Sequence, residues 1–348
     1  MTALTQAAPA SHEPATVAAA DPGGPALPTP RGPLSEAVVE FMRGRRRRPL
    51  AAAVGDVDPY GEDLQLALYA CYELHYRGFA GVDDALEWDP DLLALRARLE
   101  QAFLTEVRAQ VAGGDDLAAA VAALLVEPID GTGISHHLCS EQGQLWQFRE
   151  YVAMRSLYHL KEADPQAWVI PRLEGPAKSA LVTVEHDEYG AGKGHAMHSL
   201  LFANMMRELG LSTRYGAYLD QVPAEVLAEV NLMSLCGLHR ALRGASIGQF
   251  AVIELTSSPG SARLVKAGQR LGCGPATHRY YDEHVEADAV HEQILRRNVL
   301  APLVAEYPAM AADIVFGIQA SELLADRLAG RIKTAWSQGR SALLTPLA

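Results

Sequence analysis

Residues 280–296 have the sequence YYDEHVEADAVHEQILR. The stretch contains neither Gly nor Pro and is rich in helix-forming residues, so it predicts a single helix. On this helix His284, Asp288 and His291 fall within a stripe roughly 60° wide, because successive residues are about 100° apart. Two imidazoles and a carboxylate on one stripe suit one metal ion or two neighbouring ions, although an ordinary polar helix face would have the same pattern.

The length and composition of the chain are those of a globular protein. Of its 348 residues, 49% are hydrophobic and 21% are charged, which is enough for a large core. The net charge of −12 argues against nucleic acid as the main partner. The four cysteines form no CxxC pair, which indicates a reducing, cytoplasmic setting. We expect no membrane span and no signal peptide, because neither pattern is evident.

The N-terminal part of the chain shows no catalytic constellation. Residues 1–33 are dominated by Ala, Pro, Thr and Gly and predict a disordered segment. Residues 34–130 predict an N-terminal helical region, whose first helix would have Ser35 as its N-cap. That helix leads into the arginine-rich stretch 43–48. The stretch is either an anion or nucleic-acid contact or a solvated helix end, where arginines are favoured.

Residues 131–348 predict an all-α domain. Helical patterns follow one another with short breaks, and no stretch has the pattern of a strand hairpin. The predicted helices lie near 140–163, 165–188, 194–209, 223–243, 244–256, 261–271, 276–299, 301–306 and 308–337. Function must therefore come from side chains directed into a helical bundle.

Glu254 stands out among the residues upstream of this stretch. It follows residues 250–253, which have no polar side chain. A carboxylate in such a place is costly to bury unless it is paired or bound to a metal. The sequence therefore leaves two interpretations, a metal ligand or a buried ion pair with Arg240 or Arg243.

Glu188 and His198 lie on either side of a glycine-rich break. Gly190, Gly192 and Gly194 separate them, and glycines allow a sharp change of chain direction and a close backbone approach. On one straight helix the two side chains would point about 80° apart. A helix–loop–helix would instead bring both of them to one centre.

Glu162 completes a set of four carboxylates and three imidazoles. The set consists of Glu162, Glu188, Glu254, Asp288, His198, His284 and His291. Seven such groups are too many for one ion and suit two, and a mixture of oxygen and nitrogen ligands without thiolate favours iron or manganese over structural zinc. The Glu-x-x-His pairs of ferritin-like proteins are absent, so that class is a poor match.

The motifs around these residues resemble those of the haem-oxygenase-like di-iron oxidases, the iron-containing redox enzymes. The resemblance covers about residues 140–337. It rests on Tyr158-x-x-Lys161-Glu162-Ala163-Asp164-Pro165, Asp187-Glu188-Tyr189-Gly190-x-Gly192, His198-x-x-Leu201-Phe202, Glu254-x-Thr256-Ser257-Ser258 and His284-x-x-x-Asp288-x-x-His291. It implies a haem-oxygenase-like bundle of about seven core helices, to which the N-terminal helical region is an addition.

The same resemblance implies two Fe(II) ions, O2 as co-substrate and no haem. The implied ligands are Glu188, His198, Glu254, His284, Asp288 and His291. Glu162 matches an additional carboxylate of members that oxygenate nitrogen. His195 is the rival of His198, because its spacing from Glu188 also occurs in the family. Tyr189 is, with Glu162, a candidate catalytic residue, and packing in the core is the alternative for it.

The implied function is an O2-dependent non-haem di-iron oxidoreductase of small-molecule biosynthesis. N-oxygenation of an amino acid or amine is the first expectation, and Arg155, Arg240 and Arg243 are candidates to bind a substrate carboxylate. Desaturation or C–C cleavage of an amino acid or fatty acid is the alternative on the same site. A non-catalytic all-α binding protein with buried salt bridges is the alternative of another class. We also expect a homodimer and an external electron donor.

Overall fold

The chain folds into a bundle of α-helices. The computed structural model describes residues 24–45, 50, 55, 57–126 and 131–348, and within these ranges it contains helices, turns and loops but no β-strand. The predicted all-α fold class is confirmed. Among the described residues, no helix is both long and apolar enough to cross a membrane.

The helices follow one another with short connections. In chain order the α-helices of the described residues are α1 (Pro33–Met42), α2 (Glu62–Glu73), α3 (Pro90–Gln110), α4 (Leu117–Leu124), α5 (Ile134–Cys139), α6 (Leu145–His159), α7 (Asp164–Ala167), α8 (Gly175–Glu188), α9 (His198–Glu208), α10 (Ala224–Leu238), α11 (Arg243–Leu271), α12 (Pro275–Ile294), α13 (Ala301–Glu306) and α14 (Met310–Ser337). A π-helical segment, Leu295–Leu300, joins α12 to α13.

The long helix α11 forms the centre of the bundle, between α12 and α14. Two glycines allow α11 and α14 to approach closely. A Cβ atom added at Gly248 would overlap the backbone carbonyl of Ile314, and one added at Gly317 would overlap the backbone of Ala245. These contacts fix the register of α14 on α11, because a larger side chain at either position would force the helices apart.

The N-terminal helices share a hydrophobic core with the rest of the bundle. Leu66 and Tyr69 of α2 and Phe103 of α3 belong to the same buried cluster as Phe148 of α6 and Leu227 of α10. In addition, α2 packs directly against α10. The predicted boundary at residue 130 falls in 127–130, outside the described residues.

The prediction of two helices at 244–256 and 261–271 was wrong. The structure has one helix, α11, which continues through Pro259. Proline removes a backbone hydrogen bond and usually ends or kinks a helix. Here α11 packs against α12 on both sides of Pro259, with Glu254 contacting His291 before it and Gly268 lying against Thr277 after it, and this tertiary packing outweighs the local preference of the sequence.

The prediction of one helix at 165–188 was also wrong. The short helix α7 is followed by a 3-10 turn at Ile170–Arg172, and α8 begins only at Gly175. Pro171 interrupts the pattern by removing a donor, and Gly175 has a φ of 59° that a helix does not allow. The helix predicted at 140–163 ends at His159, so Glu162 lies on the turn between α6 and α7.

The N-terminal predictions are corrected in two places. Residues 24–33, which were predicted to be disordered, contact the bundle: the Arg31 guanidinium donates to Glu62 at 2.6 Å. Helix α1 begins at Pro33, so Ser35 is not its N-cap, and Asp63 of α2 accepts from the Ser35 backbone N–H at 2.7 Å instead. The rest of the segment predicted to be disordered, 1–23, and positions 46–48 of the arginine-rich stretch lie outside the described residues.

Candidate metal centre

The structure brings all seven predicted ligand residues into the interior of the bundle. His284, Asp288 and His291 project from α12, whose inward stripe is polar where a core helix is usually apolar. Glu254 projects from α11 and Glu188 from the last turn of α8. The remaining two lie at breaks in the helical pattern, His198 at the start of α9 and Glu162 on the turn after α6. Every one of these side chains is buried.

A sharp turn between α8 and α9 places His198 beside Glu188. Gly190 and Gly192 both have a φ of 79°, in the left-handed region that favours glycine. A Cβ atom at Gly190 would lie 2.6 Å from the backbone nitrogen of Met197, so only glycine fits there. As the glycines predicted, the chain reverses, and His198 Nδ1 lies 2.8 Å from Glu188 Oε2.

Three of the residues form a group that we call the three-residue group: Glu162, His198 and His284. Their ligand atoms all lie within 4.8 Å of one another. Nδ1 of His284 lies 2.8 Å from the backbone carbonyl of Tyr280, one helical turn earlier. Nδ1 donates its proton to this carbonyl, so Nε2 is the nitrogen directed at the group and would offer its lone pair to a cation that replaces its proton.

The other four residues form the four-residue group: Glu188, Glu254, Asp288 and His291. His291 Nδ1 lies 3.0 Å from Glu254 Oε2, 3.5 Å from Glu188 Oε1 and 3.6 Å from Asp288 Oδ1. Its other nitrogen, Nε2, lies 3.4 Å from the carboxylate of Asp187. The contact between Glu188 and His198 joins the two groups, so they are neighbouring parts of one centre.

The electrostatics of the three-residue group favour charged side chains despite burial. Burial raises the pKa of Glu162, but the neighbouring His159 and His284 outweigh it and lower the pKa to about 2. Burial lowers the pKa of His284, but its interactions with Glu162 and Asp288 outweigh burial and raise the pKa to about 10. The metal-free centre thus holds an imidazolium beside a carboxylate, and a cation bound there would replace that proton.

The four-residue group has more carboxylates than its imidazole can neutralise. Burial, followed by the charges of Asp288 and Glu188, raises the pKa of Glu254 to about 8. The nearby carboxylate of Asp288 and the hydrogen bond to Glu254 overcome the burial of His291 and raise its pKa to about 11. Several acids crowded around one imidazolium are an environment that a bound metal cation would stabilise.

Three buried ligand atoms have no hydrogen-bond partner among the described residues. They are Nδ1 of His198, which makes only its ion-pair contact with Glu188, Nε2 of His284 and Oδ2 of Asp288. A buried polar atom without a partner costs about 1–3 kcal/mol, and such a cost is common where a metal ion provides the missing interaction. The oxygen and nitrogen donors fit iron, so the residues present suit the predicted cofactor.

A cavity of about 460 Å³ lies against the centre. Glu162, Glu188, Glu254, His284 and Asp288 form part of its wall. Arg155 and Glu229 form another part of the same wall, and Arg155 Nη1 donates to Glu229 Oε2 at 2.8 Å. A small molecule inside the cavity would therefore reach both the candidate ligands and a charged pair.

The structure distinguishes between several alternatives that the sequence left open. His195 is exposed in a 3-10 turn, whereas His198 is buried in the centre. The ion pair of Glu254 with Arg240 or Arg243 does not form, because Glu254 accepts from His291 instead. Arg240 is exposed. Of the three candidate arginines, Arg155 lines the cavity, whereas Arg240 and Arg243 do not.

The structure places Tyr189 away from the cavity. Its hydroxyl donates to Asp164 Oδ1 at 3.0 Å, and the residue is not part of the cavity wall. Tyr280 occupies the position that was expected for Tyr189. The hydroxyl of Tyr280 lies 3.5 Å from Glu162 Oε2. The sequence signal was present, because Tyr280 precedes His284 by one helical turn on the same stripe.

Glu185 is a second residue that the sequence analysis missed. It lies one turn before Glu188 on α8, is 2% exposed and has no hydrogen-bond partner for either carboxyl oxygen among the described residues. Burial and the neighbouring charge of Glu188 raise the pKa of Glu185 to about 9, so it is neutral at pH 7. Its three-residue spacing from Glu188 could have indicated this position.

A helical bundle that buries adjoining carboxylate and imidazole groups beside a cavity is typical of metalloenzymes that bind iron. A family model described as iron-containing redox enzyme matches residues 149–326, and the chain belongs to this family. This confirms the family resemblance of the sequence and makes the protein an oxidoreductase by family. The match spans α7 to α13 and all seven candidate ligands, and leaves α1–α5 outside it.

One relative is named for its activity. The nitrosourea synthase of Streptomyces achromogenes subsp. streptozoticus is 26% identical to the chain over 166 residues. These residues are 47% of this chain and 35% of the relative. The aligned part therefore spans about a third of that relative's length.

Proposed function

We propose that the protein is a non-haem di-iron oxygenase that acts on a small molecule in the cavity, and that it oxygenates a nitrogen atom. One observation carries the proposal. Seven oxygen and nitrogen ligand residues, drawn from α8, α9, α11, α12 and the turn after α6, meet in two adjoining buried groups. A set of this size and chemistry suits two iron ions.

In this proposal the three-residue group holds one iron and the four-residue group holds the other. Glu188 lies between the groups through its contact with His198, which suits a carboxylate shared by two ions. These residues would hold two ferrous ions, which would supply electrons to dioxygen, and repeated turnover would then require an external electron donor.

A backbone carbonyl and a carboxylate behind the ligands hold the imidazoles in place. The carbonyl of Tyr280 keeps the proton of His284 on Nδ1, so that Nε2 faces the three-residue group. Asp187 accepts from His291 Nε2, so that Nδ1 faces the four-residue group. Such hydrogen bonds fix the tautomer and the ring orientation of histidine ligands.

The cavity and the relative support an amino acid or amine as the substrate. A nitrosourea contains a nitrogen–nitrogen bond with an oxygen on nitrogen. The activity for which the relative is named therefore supports oxygenation of nitrogen. Arg155 is paired through Nη1 only, and its buried Nε has no hydrogen-bond partner among the described residues. A substrate carboxylate would find a donor there, and Glu229 would favour a substrate ammonium. An amino acid carries both groups.

The first test is the iron content after anaerobic loading with Fe(II). We expect about two ions per chain and a transient visible absorption band on rapid mixing with dioxygen. Asp288→Asn should lose iron, whereas Asp282→Asn, which removes the same charge from an exposed position of α12, should not. Product analysis with amines, amino acids and fatty acids then separates N-oxygenation from desaturation and cleavage.

Two outcomes would contradict the proposal. Wild-type protein that takes up no iron and shows no transient band would leave the alternative of a non-catalytic helical protein with buried salt bridges. Equal iron uptake by Asp288→Asn and wild type would place the metal elsewhere.

A further inference from the structure

The turn between α6 and α7 carries two neighbouring side chains that point to different parts of the molecule. Glu162 reaches the three-residue group, where its Oε2 lies 3.9 Å from His284 Nε2. Lys161 points to the N-terminal helices, where its Nζ donates to Oε2 of Glu73 at 3.1 Å. Lys161 and Glu73 are both buried, so their pair joins this turn to the last residue of α2.

Tyrosine side chains surround the pair. Lys161 Nζ lies 3.9 Å from the ring centroid of Tyr76 and 5.2 Å from that of Tyr69. The hydroxyl of Tyr215 donates to the same Glu73 oxygen at 2.8 Å. The ammonium is thus held by a carboxylate and by ring faces together, and the carboxylate has a second donor.

The same region of the chain also holds the backbone of the turn. Arg77, four residues after Glu73, donates from Nη2 to the carbonyl of Leu160 at 2.9 Å. Its guanidinium lies 4.1 Å from the ring centroid of Tyr215. The N-terminal region therefore contacts Leu160 through the backbone and Lys161 through the side chain, and the next residue is Glu162.

We propose that Glu73 and Lys161 are a positioning pair through which the N-terminal helical region sets the place of Glu162 in the metal centre. The inference rests on the proposed function, because it takes Glu162 as an iron ligand. Ligands on α11 and α12 are held by helical hydrogen bonds and by packing, whereas Glu162 lies on a turn. Its position therefore depends on the tertiary contacts of its neighbours.

The inference gives a role to a part of the chain outside the matched residues 149–326. Glu73 lies more than seventy residues before that match, and its hydrogen bonds among the described residues are to Arg77, Lys161 and Tyr215, none of which is a candidate ligand. Its contact with Lys161 makes α2 a support for the centre. Separate expression of the matched residues alone would remove this support.

The test is an anaerobic Fe(II) titration of the full chain and of two variants. Glu73→Leu removes both the charge and the acceptor, whereas Glu73→Gln keeps an acceptor for Lys161 and Tyr215. We expect Glu73→Leu to weaken one of the two Fe(II) sites by about 10–100-fold, the usual effect of removing a residue that positions a ligand. The other site should be unchanged, and Glu73→Gln should recover part of the affinity.

Two further variants separate positioning from general stability. The double variant Glu73→Leu/Lys161→Met leaves no unpaired charge in the core, so it should fold even where Glu73→Leu does not. It should still show the weakened iron site. Glu100→Gln is the matched control, because Glu100 is buried in the same region and accepts from Tyr72 at 3.0 Å. Its melting temperature should fall, but its two iron affinities should not change.

Each remaining outcome overturns a stated part of the reasoning. Two iron sites of wild-type affinity in every Glu73 variant would make the pair purely structural and would leave the proposed function standing. Equal weakening of the same site by Glu100→Gln would show a general loss of stability and would also overturn the inference. Wild-type protein without iron would overturn the proposed function and the inference with it.

Discussion

Replacing Glu254 by Gln should stabilise the metal-free protein at pH 7 and at the same time remove iron binding. The carboxyl of Glu254 is buried in α11, close to Asp288 and Glu188. Burial and these two charges raise its pKa to about 8, against the opposing effect of His291. At pH 7 the folded metal-free protein thus carries Glu254 in its neutral form, which Gln resembles in shape and in lack of charge.

The size of the effect follows from the two pKa values. The unfolded chain releases the proton of Glu254 near pH 4.5, whereas the folded chain keeps it until its pKa of about 8. Between pH 4.5 and pH 8 the free energy of unfolding of the metal-free protein falls as the pH rises, by about 1.4 kcal/mol per pH unit. The loss comes to about 3 kcal/mol at pH 7 and to less than about 1 kcal/mol at pH 5. Gln has no proton to release, so the variant does not incur this loss.

Urea unfolding with a chelator present, followed by circular dichroism at pH 5 and pH 7, measures the difference. Glu286→Gln is the control, because Glu286 is exposed on α12 and should change stability by less than about 0.5 kcal/mol. Fe(II) should reduce this difference, because wild-type protein gains stability from bound iron and Glu254→Gln does not. The reasoning fails if metal-free wild type is as stable as the variant at pH 7, or if their difference does not grow between pH 5 and pH 7.

Three further predictions concern the iron, the cavity and the helix crossing. Fe(II) at 100 times its dissociation constant should stabilise wild-type protein by about 3 kcal/mol, and the resulting rise in melting temperature should disappear with a chelator; no rise would contradict iron binding to the folded state. Arg155→Met leaves the part-buried Glu229 without its partner and should cost about 1–3 kcal/mol in urea unfolding, whereas Arg155→Met/Glu229→Leu should recover most of it. Gly248→Ala places a Cβ against the carbonyl of Ile314 and should cost about 1–3 kcal/mol; wild-type stability would show that the helices separate freely.

The sequence predicted most where one helix fixes several side chains. The residues at 284, 288 and 291 lie on one stripe, so helical geometry alone placed them together, and the structure has them on α12. Glu254 was recognisable because a carboxylate in an apolar run needs a partner inside the protein. The glycines after Glu188 predicted the reversal that brings His198 back. These local signals predicted the proximity of six of the seven residues, whereas no local signal placed Glu162, which lies on the turn after α6.

The sequence predicted least where tertiary contacts decide the outcome. No local sequence signal shows that α11 continues through Pro259, because the helix is maintained by its packing against α12 and α14. The direction of Tyr189 depends on Asp164, which belongs to another helix. The pairing of Lys161 with Glu73 joins residues that are 88 positions apart, and a single sequence carries no signal for a contact of that kind.

Because α12 supplies ligands to both groups, insertions and deletions should be distributed unevenly along the chains of related proteins. One extra residue between His284 and His291 would rotate the later side chain by about 100° around the helix axis and would remove it from the centre. The loop between α8 and α9 separates Glu188 from His198. An insertion or deletion in this loop is tolerated as long as His198 returns to the same position. Related chains should therefore vary in length at 191–196 and keep a constant spacing from 284 to 291.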